Sequence, residues 1–260
     1  MSSHAHTCQA TGLRLVPTGP STGFHVGLRK FPQPSAAVRT ADIHRQDWGR
    51  FDVIGSTFYV AEYIETAYAE VLASFKLPNG ANDSLQEIAD MWGVHRAEAV
   101  SWIVEDWKLL EPDFRGMGAI PASWRERRRV FEIEMDDSGW LVDVHHPDTI
   151  AAIENAADGA MARWLGRQGI PAVTLSTLTS DNRMVTTTIA EVLRTSVLDD
   201  ESTPRGIQFP SKHGGGWCRA FWLPRKAYGY PGVRASREIQ IHSQSASLRR
   251  VADRFRITIT

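Results

Sequence analysis

The stretch TFYVAEYIETAYAEVLASF (57–75) changes its hydrophobic period partway along. Its first residues alternate in the manner of a half-buried strand. From Ile64 onward the apolar residues Ile64, Tyr68, Val71 and Phe75 recur at helical spacing and form one stripe. A chain that passes from strand to helix so quickly belongs to a class that mixes sheet and helix. One acid, Glu70, sits on the flank of the stripe, with the small residues Ala67 and Ser74 a turn to either side. A carboxylate fixed on a helix among small neighbours has room beside it for a ligand.

The rest of the chain keeps that mixture without regular βαβ repetition. Strands are expected at 24–31 (FHVGLRKF), 172–178 (AVTLSTL), 205–211 (RGIQFPS), 217–223 (WCRAFWL) and at the closing RITIT. RVFEIEMDDSGWLVDV (129–144) reads as a hairpin turning at 136–139. Helices are expected at 64–75, as a pair around Gly93, at 146–169 with Asp148 as cap, at 181–197 capped by Asp181, and at 246–255. The long polar connector 33–56 between two strands has the length of a functional or lid-like loop. The predicted fold class is α+β, mixed β-sheets with flanking helices. Residues 1–19 are expected as a flexible tail, because Ser, Thr, Gly and Pro dominate there. Residues 20–260 form the expected single domain, with a helical insertion at about 78–120.

Composition narrows the function classes. A formal net charge of −1 gives no global basic field to attract nucleic acid or an anionic membrane. Cys8 and Cys218, the only cysteines, fit a reducing compartment better than a disulfide framework. No run of about 18 apolar residues is present, and the N-terminus lacks the layout of a signal peptide. The expected location is therefore cytoplasmic. Neither GxGxxG nor GxxxxGK[ST] occurs, and the nine histidines form no HExxH, so no metal site is expected. HGGGW (213–217) has no GxSxG elbow to accompany it and reads as a loop between strands. SLQEIADMWGVHRAEAVSWI resembles a helix-turn-helix. From 83 to 106, however, the acids Asp83, Glu87, Asp90, Glu98, Glu105 and Asp106 face a single Arg96, which disfavours DNA.

Arg50 in the connector, Tyr59 in the next strand, Glu70 on the helix and Ser211 at a strand end each occupy an element end or junction. GRFDVIGSTFYVAEYIETAYAEVLASF, GIQFPSKHGGGWCRAFWL and ASLRRVADRF follow one another in the order seen in RES-domain proteins, a family named after an Arg, a Glu and a Ser. IPASWRERRRVF resembles a segment of a longer, actinobacterial-type subgroup. The resemblance spans roughly Phe24 to the C-terminus. It implies a fold similar to that of ADP-ribosyltransferase toxins and, in many members, a toxin that degrades NAD. It also implies that Arg50, Tyr59, Glu70 and Ser211 line an NAD pocket. Where the family usually has a first-strand Arg this chain has His25, so the resemblance leaves two candidates for that cofactor-binding place: His25 as a weaker phosphate donor, or Arg29 four residues on in place of the guanidinium.

The chemistry of those residue types fits such a role. Arg pairs with a pyrophosphate, and Tyr59 can stack on nicotinamide or steer the ribose. Splitting the nicotinamide–ribose bond builds cationic character on the sugar, which a carboxylate at Glu70 stabilises. Ser211 would orient the substrate. Nicotinamide leaves from a cationic ring, so no metal and no strong acid are required. The acceptor is water or phosphate, and the implied partner is an Xre-type antitoxin protein. Two other readings stand beside this one. The first is an ADP-ribosyltransferase acting on a macromolecule. The second is a degenerate NAD-fold module that only binds NAD or a partner, which the His25 departure keeps open.

Overall fold

The computed structural model describes residues 4–77, 81–110, 118–156, 159–223 and 232–260. Strands in chain order are β1 (His6–Thr7), β2 (Arg14–Pro17), β3 (Ser21–Leu28), β4 (Val38–Arg39), β5 (Gly55–Ala61), β6 (Ala119–Ile120), β7 (Arg128–Met135), β8 (Trp140–Asp143), β9 (Gly206–Pro210), β10 (Trp217–Leu223), β11 (Val233–Gln240) and β12 (Thr258–Ile259). Helices are α1 (Ile64–Leu72), α2 (Ala81–Trp92), α3 (Arg96–Leu110), α4 (Ala122–Arg127), α5 (Pro147–Asn155), α6 (Ala160–Arg167), α7 (Leu175–Thr179), α8 (Arg183–Arg194) and α9 (Ala246–Phe255). The fold is α+β: one large mixed sheet with flanking helices.

That sheet runs β1-β2-β8-β9-β10-β5-β3-β7-β11, with β4 added to β5. All its pairings are antiparallel except β8 with β9. Four strands separate β7 from β8 in the sheet, yet only residues 136–139 join them in the chain. The sheet must therefore curl back on itself. The expected hairpin at 129–144 is thus corrected: its two strands exist but do not pair. β7 pairs with β3 from Ser21↔Met135 to Leu28↔Arg128, while β8 pairs with β2 and β9. The β2–β3 connection crosses at the same corner. There Thr18 donates to the Asp136 carbonyl at 2.7 Å and accepts from Ser138 N at 2.9 Å, occupying the place a hairpin's own bonds would take.

Strand alternation then gives the sheet two apolar faces. Phe58 and Val60 of β5, Phe131, Ile133 and Met135 of β7, Leu141 of β8 and Phe221 and Leu223 of β10 fill the inside of the curl. Ala61, Cys218, Ala220 and Trp222 face the helices, against Tyr68 and Leu72 of α1, Ile189 and Leu193 of α8 and Leu248 and Val251 of α9. Arg219 is buried in the curl. It donates to the Thr18 carbonyl at 2.7 Å, to Ser21 Oγ at 2.9 Å and to Gln208 at 3.0 Å, and stacks on Trp217.

Several other expectations need correction. Residues 6–7 and 14–17 of the expected tail are paired strands, and Cys8, Leu13 and Leu15 are buried. AVTLSTL is a helix start and not a strand: Thr174 and Thr177 form a reciprocal capping box that opens α7. The helix expected over 146–169 is two, α5 and α6. His146, not Asp148, caps α5, and Asn182, not Asp181, caps α8. β11 was not anticipated. The pair around Gly93 is α2 and α3, with Trp92 and Trp102 rings 6.0 Å apart. Positions 78–80 and 111–117 of the expected insertion lie outside the described residues. Among the described residues, no helix is long and apolar enough to cross a membrane.

Candidate functional site

β3 and β5 lie side by side but share a single register position, Phe24↔Ala61. Beyond it the strands part, and a cavity of about 470 Å3 opens between them and α1. Phe24, His25 and Val26 of β3, Tyr59 of β5, and Ala67, Glu70, Val71 and Ser74 from the α1 segment line it, with Gly49 and Arg50 from the connector. Parted strands leave backbone groups without ladder partners, and such groups must bond elsewhere. The Tyr59 carbonyl finds its partner in the His25 ring, 2.9 Å from Nδ1. A carbonyl can only accept, so Nδ1 carries the proton. Burial holds the imidazole down at about 4, against the opposing pull of that same hydrogen bond. His25 is therefore neutral near pH 7 and supplies no charge to a phosphate. Arg29, just past the end of β3, is exposed and is not among the lining residues.

Arg50 is buried, with its guanidinium 5.8 Å from the centre of the Phe209 ring. Burial lowers its proton affinity, and the Glu70 charge opposes that. Its position depends on a tight turn around Asp52. The Asp52 carboxylate accepts from Gly49 N at 2.8 Å, Arg39 Nε at 2.7 Å and the Tyr59 hydroxyl at 2.8 Å. The same hydroxyl accepts from Phe51 N at 3.1 Å. Burial, with Asp52 beside it, pushes the phenol well above its ordinary range. Tyr59 thus presents its ring to the cavity, while its hydroxyl holds the turn that carries Arg50.

Ser211 directly follows β9. Its hydroxyl donates to Glu70 Oε1 at 2.7 Å and accepts from His213 N at 3.1 Å. Residues 211–216 close on themselves, with Ser211 N donating to the Gly216 carbonyl at 3.1 Å. Thr66, four residues before Glu70 and so on the same face of α1, donates to the Gly215 carbonyl. The glycine-rich loop between β9 and β10 is a docked strap that delivers Ser211 to Glu70. Cys218 Sγ lies 3.9 Å from the same carboxylate oxygen. Burial and then the Glu70 charge raise its thiol far above the usual range, so it is no thiolate nucleophile.

Arg183, Lys212 and His213 also line the cavity and were not singled out from sequence. Adjacency to Ser211 was the available signal for Lys212 and His213; Arg183 had none, since only the packing of α8 brings it there. Burial pulls the His213 imidazole down from its ordinary value while Glu70 opposes. Among the described residues, no cluster of three or more His, Cys, Asp or Glu side chains has the arrangement of a metal site. The site therefore offers one carboxylate with a fixed hydroxyl, a set of cations, and aromatic walls from Phe24, Tyr59 and Phe209.

No protein-family model and no curated protein matches the sequence. Among solved structures, the chain is similar to one in the M. tuberculosis MbcT–MbcA toxin–antitoxin complex. That similarity has 10% identity and a TM-score of 0.46, and covers 92% of this chain and 91% of that one.

Proposed function

We propose that the protein is an NAD-consuming enzyme that splits the nicotinamide–ribose bond. The observation that carries this reading is the Glu70 carboxylate held at 2.7 Å by Ser211 in a cavity that Arg50 and Tyr59 also line. Glu70 stabilises the positive charge that develops on the ribose as the C1′–N bond lengthens. Its second oxygen is available to a ribose hydroxyl or to the incoming nucleophile. Nicotinamide departs with the bonding pair and becomes neutral. Water or phosphate then adds to C1′ and releases a proton. Arg50 neutralises the dinucleotide's diphosphate, and the Tyr59 ring flanks the flat leaving group.

On this reading the chain is one RES-type domain that includes the paired strands β1 and β2, similar in fold to the ADP-ribosyltransferase toxins. The protein is a growth-inhibiting toxin restrained by an Xre-type antitoxin. The direct test is nicotinamide release from NAD by wild type and Glu70→Gln, with and without phosphate. Release is expected from wild type, with a loss of at least about a hundredfold in the variant, the scale of losing one transition-state electrostatic contact. Stimulation by phosphate identifies the acceptor. A folded wild type that binds NAD and releases nothing overturns the reading. Transfer of ADP-ribose to an added protein would replace it with the macromolecular-target reading.

A further inference from the structure

We propose that Arg50, Arg183 and Lys212 form a phosphate-class oxyanion site at the cavity, and that Asp181, which pairs with two of them, is an internal competitor for it. The ligand class rests on the reading of this cavity as a nucleotide pocket. The three cations come from separate parts of the chain: the connector, the first turn of α8 and the strap after β9. All three line the cavity. Arg50 is only 7% exposed. Its Nε has no hydrogen-bond partner among the described residues. A buried guanidinium N–H without an acceptor is costly and is ordinarily satisfied, so this one marks where an acceptor from outside the chain belongs.

The other two cations are partnered, and by the same atom. Asp181 Oδ1 lies 2.7 Å from Lys212 Nζ and 3.2 Å from Arg183 Nη2. Those bonds, Lys212 foremost, hold the Asp181 carboxyl below its usual range, and Arg50 contributes to the same pull. The carboxylate is itself 71% exposed, whereas the Lys212 and Arg183 side chains are 31% and 22% exposed. Asp181 therefore sits on the solvent side of two half-buried cations, as a bound anion would. Its hold is that of a surface ion pair, which is weak. A phosphate oxyanion carries more charge and more acceptor atoms than a carboxylate and so competes for these cations. A rotation of the Asp181 side chain into solvent vacates the site. The fold in this way sets anion affinity lower than its three cations alone would give.

Binding titrations with ADP-ribose, inorganic phosphate and nicotinamide riboside at low ionic strength test this without requiring turnover. Asp181→Asn should tighten ADP-ribose or phosphate about two- to fivefold, the worth of a surface pair. Lys212→Gln and Arg183→Gln should each weaken it about tenfold. Nicotinamide riboside, which has no phosphate, should be unaffected by all three. Inorganic phosphate binding that depends on Lys212 identifies the oxyanion as a free ion; dependence seen with ADP-ribose alone identifies it as the diphosphate. Equal or weaker anion binding by Asp181→Asn overturns the competitor. Unchanged anion affinity in both Gln variants overturns the site. A protein that fails to release nicotinamide yet shows the predicted affinity shifts loses the catalytic reading and keeps the anion site.

Discussion

The His25 ring and the Tyr59 hydroxyl are both committed inside the protein, one to a backbone carbonyl and the other to a carboxylate. For His25 this has a consequence in pH. With its folded value near 4 and an ordinary value of 6.5, the imidazole stays neutral in the fold while the unfolded chain takes up a proton. Its contribution is complete above about pH 6.5 and is lost as pH falls toward 4, by at most about 3 kcal/mol. Urea denaturation between pH 7 and 4 should show a steeper loss for wild type than for His25→Asn, whose amide can still donate to the Tyr59 carbonyl. Parallel curves would remove His25 from the acid response. The sequence signals for Arg50, Tyr59, Glu70 and Ser211 were junction position and family resemblance; Arg50, Tyr59 and Glu70 line one cavity, and Ser211, outside its lining, is hydrogen-bonded to Glu70. The neutrality of His25 was not legible, because it follows from the parting of two strands far apart in the chain. Arg183 and Asp181 were equally hidden: Asp181 read as a helix cap and Arg183 carried no signal, and only the strap beside them brings Lys212 to the same carboxylate.

At the scale of elements, the strap between β9 and β10 depends on glycine for a specific reason. Gly216 has φ +102°, and a Cβ there would lie 2.7 Å from Glu62 Oε2 and 2.9 Å from the Tyr63 ring. Glu62 cannot easily yield, since the same oxygen accepts from Trp217 N at 3.0 Å. Gly216→Ala should cost about 1–3 kcal/mol in urea denaturation. It should also loosen Ser211 from Glu70, and so lower nicotinamide release in the folded variant. A variant equal to wild type in both measurements would mean that the strap does not position Ser211. Elements whose identity is fixed locally were readable from sequence. The predicted boundaries of β10 and α9 coincide with the observed ones, because apolar runs and a 3.6-residue period are properties of a few neighbouring residues. At 172–178 the β-branched residues favoured a strand, but Thr174 and Thr177 capping each other outweighed that propensity. The hairpin failed differently. Both strands were correct, and pairing between neighbours in sequence was the wrong assumption.

The curl of the whole sheet explains that failure and gives the N-terminal segment its importance. β2 covers β8, which would otherwise be an edge strand beyond β9, and β1 in turn covers β2. Composition suggested a loose tail, yet Cys8, Leu13 and Leu15 are each no more than 2% exposed and belong to the helix-side core. Asp199 fastens the same segment by accepting from Gln9 N and Ala10 N at 2.8 Å each. Three buried apolar side chains at about 1.5–3 kcal/mol apiece amount to roughly 5 kcal/mol or more, a large part of the stability of an ordinary domain. Removal of residues 1–17 should therefore unfold the protein or sharply lower its urea midpoint, with Val142 and Leu141 left on an open, apolar edge prone to aggregation. A truncation to Thr18 as stable as the full chain would show that the curl closes without its outer strands, and the segment would revert to the dispensable tail its composition suggests.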